Sequence, residues 1–272
     1  MPYVEHGRFR LHYLEDDFTD PWDERPVILL QHGNGRSAEF WYAWVPTLAR
    51  RFRVVRPDMR GVGKSSRTHE PQSDLSVEHC LADLECLLAR IGCGPVHFCG
   101  ESMGGILGIL LAATRPALVR SLSLVSTPVY ISEAMKARYA LGMGSRVEAM
   151  RTLGIEQWVR RTTQSTRFPP DFRKEAFDWY VSEFARSDPE TLIRYSEIVN
   201  GADASSWLGR IACPAFALFP TNGPITDPVQ ERLITQGIPN VEVSHLPTEY
   251  HMIHMIYPEE CARRVLEFCE RH

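Results

Sequence analysis

The chain has 272 residues, 44% of them hydrophobic and 24% charged, which is the composition of a globular protein large enough to bury a substantial core. A formal net charge of −4 and the lack of a basic cluster argue against nucleic acid or an anionic membrane as a partner. No apolar stretch is long enough to span a bilayer, and the N-terminus shows no secretory segment. With seven cysteines and no CxxC pair, we expect reduced thiols in a cytoplasmic protein.

Strand and helix patterns alternate along the first 128 residues. Buried strands are predicted at 8–14, 26–31, 52–57, 96–99 and 121–125, and helices at 39–50, 76–91 and 103–114. Strands that alternate with helices at this spacing imply crossover connections. The first part of the chain therefore predicts an α/β fold with a mainly parallel sheet.

The pattern changes at residue 129, where helical stretches rich in methionine and aromatic residues replace the buried strands. Strand patterns resume at 213–219 and 241–244, before an amphipathic helix at 258–270. We predict an α/β core formed by residues 1–128 and 207–272, interrupted by a helical cap at 129–206. The aromatic residues of the cap either form its own small core or line a substrate cavity, since pockets favour domain junctions.

A candidate nucleophile lies between a predicted strand and a predicted helix. The sequence Gly100-Glu-Ser-Met-Gly104 has the form G-x-S-x-G, and it follows one buried strand and opens the next helix. The motif needs glycine at both ends, because larger side chains collide with neighbouring backbone in so tight a turn. The helix N-terminus also favours developing negative charge. The alternative is a serine in an ordinary glycine-rich turn. We predict that Ser102 is a nucleophile.

Three segments together resemble the α/β-hydrolase superfamily, in particular its small esterase, lactonase and carbon–carbon hydrolase branches. They are His32-Gly-Asn-Gly35, the glycine-containing loop 58–66, and Gly100-Glu-Ser-Met-Gly-Gly105. The resemblance implies an α/β-hydrolase fold, a mainly parallel sheet flanked by helices with an inserted helical cap. It also implies that the backbone N–H groups of Asn34 and Met103 form an oxyanion hole. No metal-ligand spacing or dinucleotide fingerprint is present, so we expect no metal and no cofactor.

The general base is sought after the last strand, because the chain order in this fold is nucleophile, acid, histidine. His245, His251 and His254 meet that condition. The resemblance places His251 in the catalytic position and His254 where relatives carry a residue at the pocket edge. We therefore predict His251 as the base and His254 as a substrate-binding residue.

The acid that should orient the base is missing from its usual place. The family's motif, laid on this sequence, puts Gly223 where an aspartate is expected. Asp227 could reach back as the acid, although Asp227 followed by Pro228 is also a good start for a helix. Some relatives carry the acid after the strand that here ends at Val125, but no carboxylate follows it closely.

Three other groups near the motifs bear on the same question. A serine–histidine pair could be oriented by Asn222, by a main-chain carbonyl or by water, and Glu249 remains a further candidate. Glu101 adjoins the nucleophile, but we expect its side chain to point away from Ser102.

The leading functional hypothesis is hydrolysis of a small, apolar carboxylic ester or lactone through an acyl-enzyme on Ser102, with a small molecule as the only partner. One alternative is a carbon–carbon bond hydrolase or a cofactor-free enzyme that acts on a diketone-like substrate. Another is a ligand-binding homologue without catalysis. The sequence does not indicate the substrate, because substrate specificity depends on the cap and its cavity. It does not indicate the oligomeric state either.

Overall fold

The computed structural model describes residues 2–22 and 24–272. Within them, one sheet contains eight strands in the order β1-β2-β4-β3-β5-β6-β7-β8. The strands are β1 (Tyr3–His6), β2 (Phe9–Asp16), β3 (Val27–Gln31), β4 (Arg53–Pro57), β5 (Val96–Glu101), β6 (Val119–Val125), β7 (Ala215–Pro220) and β8 (Val241–Leu246). β1 and β2 pair antiparallel and β2 runs antiparallel to β4, whereas all pairs from β4 to β8 are parallel. The predicted α/β class with a mainly parallel sheet is confirmed.

The helices lie mostly between successive strands. They are α1 (Val45–Leu48), α2 (Pro71–Asp74), α3 (Val77–Ile91), α4 (Met103–Thr114), α5 (Glu133–Ala140), α6 (Arg146–Leu153), α7 (Ile155–Thr166), α8 (Lys174–Ala185), α9 (Pro189–Gly201), α10 (Pro228–Gly237), α11 (Ile253–Ile256) and α12 (Pro258–Cys269). Short 3₁₀ helices cover Ala38–Trp44, Pro116–Leu118 and Ser205–Arg210. In the described part of the chain, no helix combines the length and the apolar character needed to cross a bilayer.

The helix predicted at 39–50 forms differently. Residues Ala38–Trp44 make a 3₁₀ helix, and α1 then begins as a separate short helix with Pro46 in its first turn. Proline has no N–H to donate to the preceding turn, so a continuous α-helical ladder cannot pass through this position. In contrast, α3 has the predicted ends: Ser76 Oγ accepts the His79 N–H at 3.2 Å, and Gly92 closes the helix at φ +59°.

Two apolar cores cover the two faces of the sheet. In β3, Ile28 and Leu30 contribute to one core and Val27 and Leu29 to the other, as the two-residue period of a strand requires. Helix α4 is apolar on all sides and almost wholly buried, which is characteristic of a helix at the centre of a domain. The turn that precedes α4 is therefore held rigidly from both sides.

Helices α5–α9 occupy the chain between β6 and β7, where the cap is predicted; the cap boundaries stay a prediction. Many of the aromatic side chains in this segment pack on one another. Phe168 stacks on Phe172 at 4.2 Å between ring centroids and meets Tyr180 edge-on at 5.1 Å. Trp158 Nε1 donates to the carbonyl of Tyr139 at 2.8 Å. These aromatic residues thus build a core within the helical segment.

Candidate active site

Ser102 lies in a strained turn between β5 and α4. Its backbone has φ 54° and ψ −117°, in the left-handed half of conformational space that costs energy for any residue with a side chain. A Cβ on Gly100 would lie 2.4 Å from the Gly104 carbonyl carbon, and one on Gly104 would lie 2.3 Å from the Gln31 carbonyl oxygen. Both glycines are therefore required, as the motif predicted.

The loop after β3 lies close to Ser102. A Cβ on Gly33 would lie 3.1 Å from Ser102 Cβ, so the next residue, Asn34, is brought beside the serine. The Met103 N–H belongs to the first turn of α4, whose N–H groups have no acceptor within the helix. The arrangement is compatible with the oxyanion hole, which stays a prediction. The Asn34 side chain itself is held by a hydrogen bond from Nδ2 to Ser196 Oγ at 3.3 Å.

His251 is buried in the loop between β8 and α11, with 1% of its surface exposed. Its backbone N–H donates to the Thr166 carbonyl at the end of α7, at 3.0 Å, so the helical segment helps to fix the loop. The imidazole and Ser102 line the same small cavity. The expected hydrogen bond between them is not formed: Nδ1 of His251 has no hydrogen-bond partner among the described residues. Catalytic hydrogen bonds often tighten only when substrate is bound.

The carboxylate that contacts His251 belongs to Glu101, a residue that the sequence analysis did not favour as the acid. Glu101 is fully buried at the end of β5. Its Oε1 lies 3.2 Å from His251 Nε2 and accepts a hydrogen bond from Arg36 Nη2 at 2.6 Å. A charged residue at the end of an apolar central strand must find a buried partner, which was the signal available in the sequence.

These contacts set the charges of the site. Burial alone would raise the pKa of Glu101, but the Arg36 guanidinium and His251 hold it well below its usual range, so the carboxylate is ionised. Burial lowers the pKa of His251, and the neighbouring Arg36 and Arg167 add to that effect, while Glu101 opposes it. The imidazole is therefore neutral near pH 7, the form that a general base requires.

The structure places Asp227, the candidate acid, at the start of α10. Its Oδ1 accepts the N–H groups of Val229 at 2.9 Å and Gln230 at 3.0 Å, and it thereby caps α10. Among the described residues it forms no hydrogen bond or ion pair with His251, and the capping bonds support the interpretation of Asp227 as a helix cap. Asn222 and Glu249, the other candidates, are exposed at the surface, whereas His251 is buried.

His254 does not have the predicted position at the pocket edge. It is buried, its ring centroid lies 4.9 Å from that of Trp41, and its carbonyl accepts the Trp44 Nε1–H at 3.0 Å. It is absent from the residues that line the cavity beside Ser102. Burial lowers the pKa of His254 to about 4. The structure thus packs His254 against Trp41 and Trp44 and outside the lining of this cavity, and its role as a substrate-binding residue stays a prediction.

Three arginines line the cavity, and the sequence analysis identified none of them. The cavity measures about 20 Å³, room for roughly one water molecule, so it must widen before it can hold a larger molecule. Its lining comprises Asn34, Arg36, Ser102, Ile131, Tyr139, Arg146, Arg167, Val199, Ile225 and His251. Among the described residues, no group of three or more His, Cys, Asp or Glu side chains is arranged to hold a metal ion.

We expect the Asp227 side chain, as the N-cap of α10, to contribute to stability and not to catalysis. The Asp227→Ala variant should lose about 1 kcal/mol of unfolding free energy, as is usual for a lost N-cap, and keep its kcat. Urea denaturation and steady-state kinetics measure the two effects. Asp188→Ala is the matched control, because Asp188 likewise caps a helix that begins with proline. A tenfold fall in kcat for Asp227→Ala alone would restore this residue as a candidate acid.

Comparison with known sequences identifies the class of protein to which this fold and this strained serine turn belong. The model of the alpha/beta hydrolase fold matches residues 26–258, and the chain belongs to this family. It is 25% identical to a protein of Azorhizobium caulinodans named "Putative carbamate hydrolase RutD", over 99% of this chain and 98% of the relative.

Solved structures show the same fold at similar identity. The enol-lactonase from Burkholderia xenovorans LB400 superimposes with a TM-score of 0.84 at 24% identity, covering 99% of this chain and 100% of that one. A thermophilic esterase from Thermogutta terrifontis gives a TM-score of 0.82 at 21% identity, with 98% and 96% covered. The chain is an enzyme of the α/β-hydrolase class.

Proposed function

We propose that the protein is a serine hydrolase that cleaves a small carboxylic ester or lactone through an acyl-enzyme on Ser102. The observation that carries the proposal is the placement of Ser102, in its strained turn, on the same cavity as the buried and neutral His251. A reactive hydroxyl beside a neutral imidazole is the pairing on which nucleophilic catalysis by serine depends.

The proposed reaction has two halves. Ser102 Oγ attacks the carbonyl carbon while His251 accepts the hydroxyl proton, and the N–H groups of Asn34 and Met103 bind the oxyanion. The carbon–oxygen bond then breaks, and the leaving alkoxide takes the proton from His251. Water that gives a proton to His251 attacks the acyl-enzyme, and the carboxylic acid leaves as Ser102 regains its proton.

Glu101 is proposed to replace the missing acid of the triad. A carboxylate beside the ring stabilises the imidazolium that forms when His251 takes up a proton. Gly223 has no carboxylate to offer, whereas the ionised Glu101 lies 3.2 Å from Nε2. The hydrogen bond from Arg36 partly neutralises the Glu101 carboxylate. Glu101 should therefore stabilise the His251 imidazolium less than a carboxylate without such a partner would. We regard Glu101 as a positioning residue, because it acts through His251.

A panel of substrates tests the reaction class. We expect the wild type to hydrolyse p-nitrophenyl acetate or butyrate and simple lactones. The panel also includes a carbamate, because the Azorhizobium caulinodans relative is named a putative carbamate hydrolase. Failure on every ester and lactone, with turnover of a vinylogous diketone, would instead support a carbon–carbon hydrolase. Absence of turnover on all of them, with measurable ligand binding, would support a protein without catalysis.

The low pKa of His251 predicts activity in mildly acidic solution. A base works only when unprotonated, and burial lowers the pKa of this imidazole, so kcat/KM should hold its value below about pH 6.5, the ordinary pKa of histidine. The measurement is kcat/KM against pH with p-nitrophenyl acetate. An acidic limb centred above the ordinary histidine value would contradict the assignment.

A further inference from the structure

Two arginine side chains from the helical segment lie in the Ser102 cavity without a carboxylate partner. Arg146 begins α6 and Arg167 follows α7, and each is only 4% exposed. Among the described residues, Arg146 makes no hydrogen bond or ion pair with another side chain, and its Nε is buried without an acceptor. Arg167 Nη1 donates to the hydroxyls of Thr162 and Thr163 at 3.1 and 3.4 Å, while its Nε also lacks an acceptor.

Aromatic rings hold both guanidinium groups in place. The guanidinium carbon of Arg146 lies 4.8 Å from the ring centroids of Tyr139 and of Trp158, and that of Arg167 lies 5.3 and 5.9 Å from the same two rings. Such contacts attract a cation and fix its orientation. The rings provide no hydrogen-bond acceptors, however, and among the described residues the Nε–H groups of Arg146 and Arg167 have no protein acceptor.

The charges around the cavity do not balance. Three arginines line it, and among the described residues the only carboxylate that pairs with any of them is that of Glu101, which accepts a hydrogen bond from Arg36. Two positive charges are thus left over. Burying a charge is costly unless it is paired, and a structural role alone would be served better by apolar side chains of similar size. Burial lowers the pKa of Arg146 to about 9, which still leaves the guanidinium protonated near pH 7.

We propose that Arg146 and Arg167 bind a carboxylate group carried by the substrate, next to the carbonyl that Ser102 attacks. The inference rests on the proposed function and narrows its substrate class from a small apolar ester or lactone to one that bears a carboxylate. The planar guanidinium fork matches two carboxylate oxygens, which favours a carboxylate over a spherical anion. The aromatic residues that suggested an apolar substrate are largely occupied in the core of the helical segment.

A pair of esters of similar length tests this proposal. The wild type should hydrolyse the mono-4-nitrophenyl ester of succinate with a kcat/KM on the order of 100-fold above that for 4-nitrophenyl butyrate, since one charged hydrogen bond is commonly worth about tenfold or more. In Arg146→Met and Arg167→Met, the ratio of the two values should fall by about 10- to 100-fold. Arg161 is an exposed arginine on α7, the helix that precedes Arg167, and Arg161→Met should leave the ratio unchanged.

A binding measurement separates this proposal from the one on which it rests. Succinate should raise the melting temperature of the wild type and of Arg161→Met, and have little effect on Arg146→Met. Stabilisation by inorganic phosphate without stabilisation by succinate would overturn the assignment to a carboxylate. Equal use of the two esters by all variants would overturn the anion site and leave the serine hydrolase intact. Succinate binding without hydrolysis of either ester would overturn the serine hydrolase and leave the anion site intact.

Discussion

Ser102→Ala is expected to lower kcat for ester hydrolysis by about 10⁶-fold, the loss found when the nucleophile is removed from a serine hydrolase. Among the described residues that line the cavity, the only other hydroxyl is that of Tyr139, which belongs to the helical segment. Because alanine fits the same backbone as serine, the strained turn should persist and the protein should remain folded. Steady-state kinetics on p-nitrophenyl acetate measure the change, and circular dichroism checks the fold.

Ser123→Ala is the matched control for this substitution. Ser123 is a buried serine on the neighbouring strand β6, and it does not line the cavity. Its substitution should leave kcat within a fewfold of the wild type. Residual activity of Ser102→Ala at a tenth of the wild-type rate or more would show that another group carries the reaction.

Glu101→Gln is the second large effect that we expect. The amide keeps the shape of the side chain but removes the charge that stabilises the imidazolium, so kcat should fall by up to about 10⁴-fold, as when the acid of a serine triad becomes an amide. The pKa of His251 should also fall, because the charge and the hydrogen bond of Glu101 both raise it. The acidic limb of the kcat/KM profile should therefore move to lower pH, a shift that a purely structural role would not produce.

This variant also breaks a buried ion pair, so its stability must be followed. Loss of the partner of Arg36 should cost about 3–5 kcal/mol of unfolding free energy. Asp83→Asn provides the control, since Asp83 pairs with the buried Arg60 away from the cavity. That variant should lose comparable stability yet keep both kcat and the position of the acidic limb. An unchanged kcat in Glu101→Gln would exclude Glu101 from the mechanism.

Much of the fold could be predicted because it depends on local patterns. The apolar strands, their alternation with helices and the glycines at positions 100 and 104 each report on a few adjacent residues. Strand β1 was missed because its four residues carry little pattern of their own and are ordered by pairing with β2. The helix predicted at 39–50 is not continuous for a local reason as well, because Pro46 lies in the first turn of α1.

The sequence locates the candidate site only where a motif fixes it. Ser102 lies in a turn defined by its own glycines, whereas the partner of His251 depends on tertiary contacts. Glu101 contacts both His251 and Arg36, which lies 65 residues earlier in the chain, and no spacing along the chain encodes those contacts. The same holds for Arg146 and Arg167, which adjoin Ser102 only because the helical segment folds back over the sheet.

Reaction with a fluorophosphonate tests the central claim most directly. The reagent phosphonylates a serine whose hydroxyl is activated by a neighbouring base, and intact-protein mass spectrometry counts the groups added. We predict one group per chain, mapped by peptide analysis to Ser102, with no labelling of Ser102→Ala and slow labelling of Glu101→Gln. An unlabelled wild type, or a label on another residue, would contradict the account.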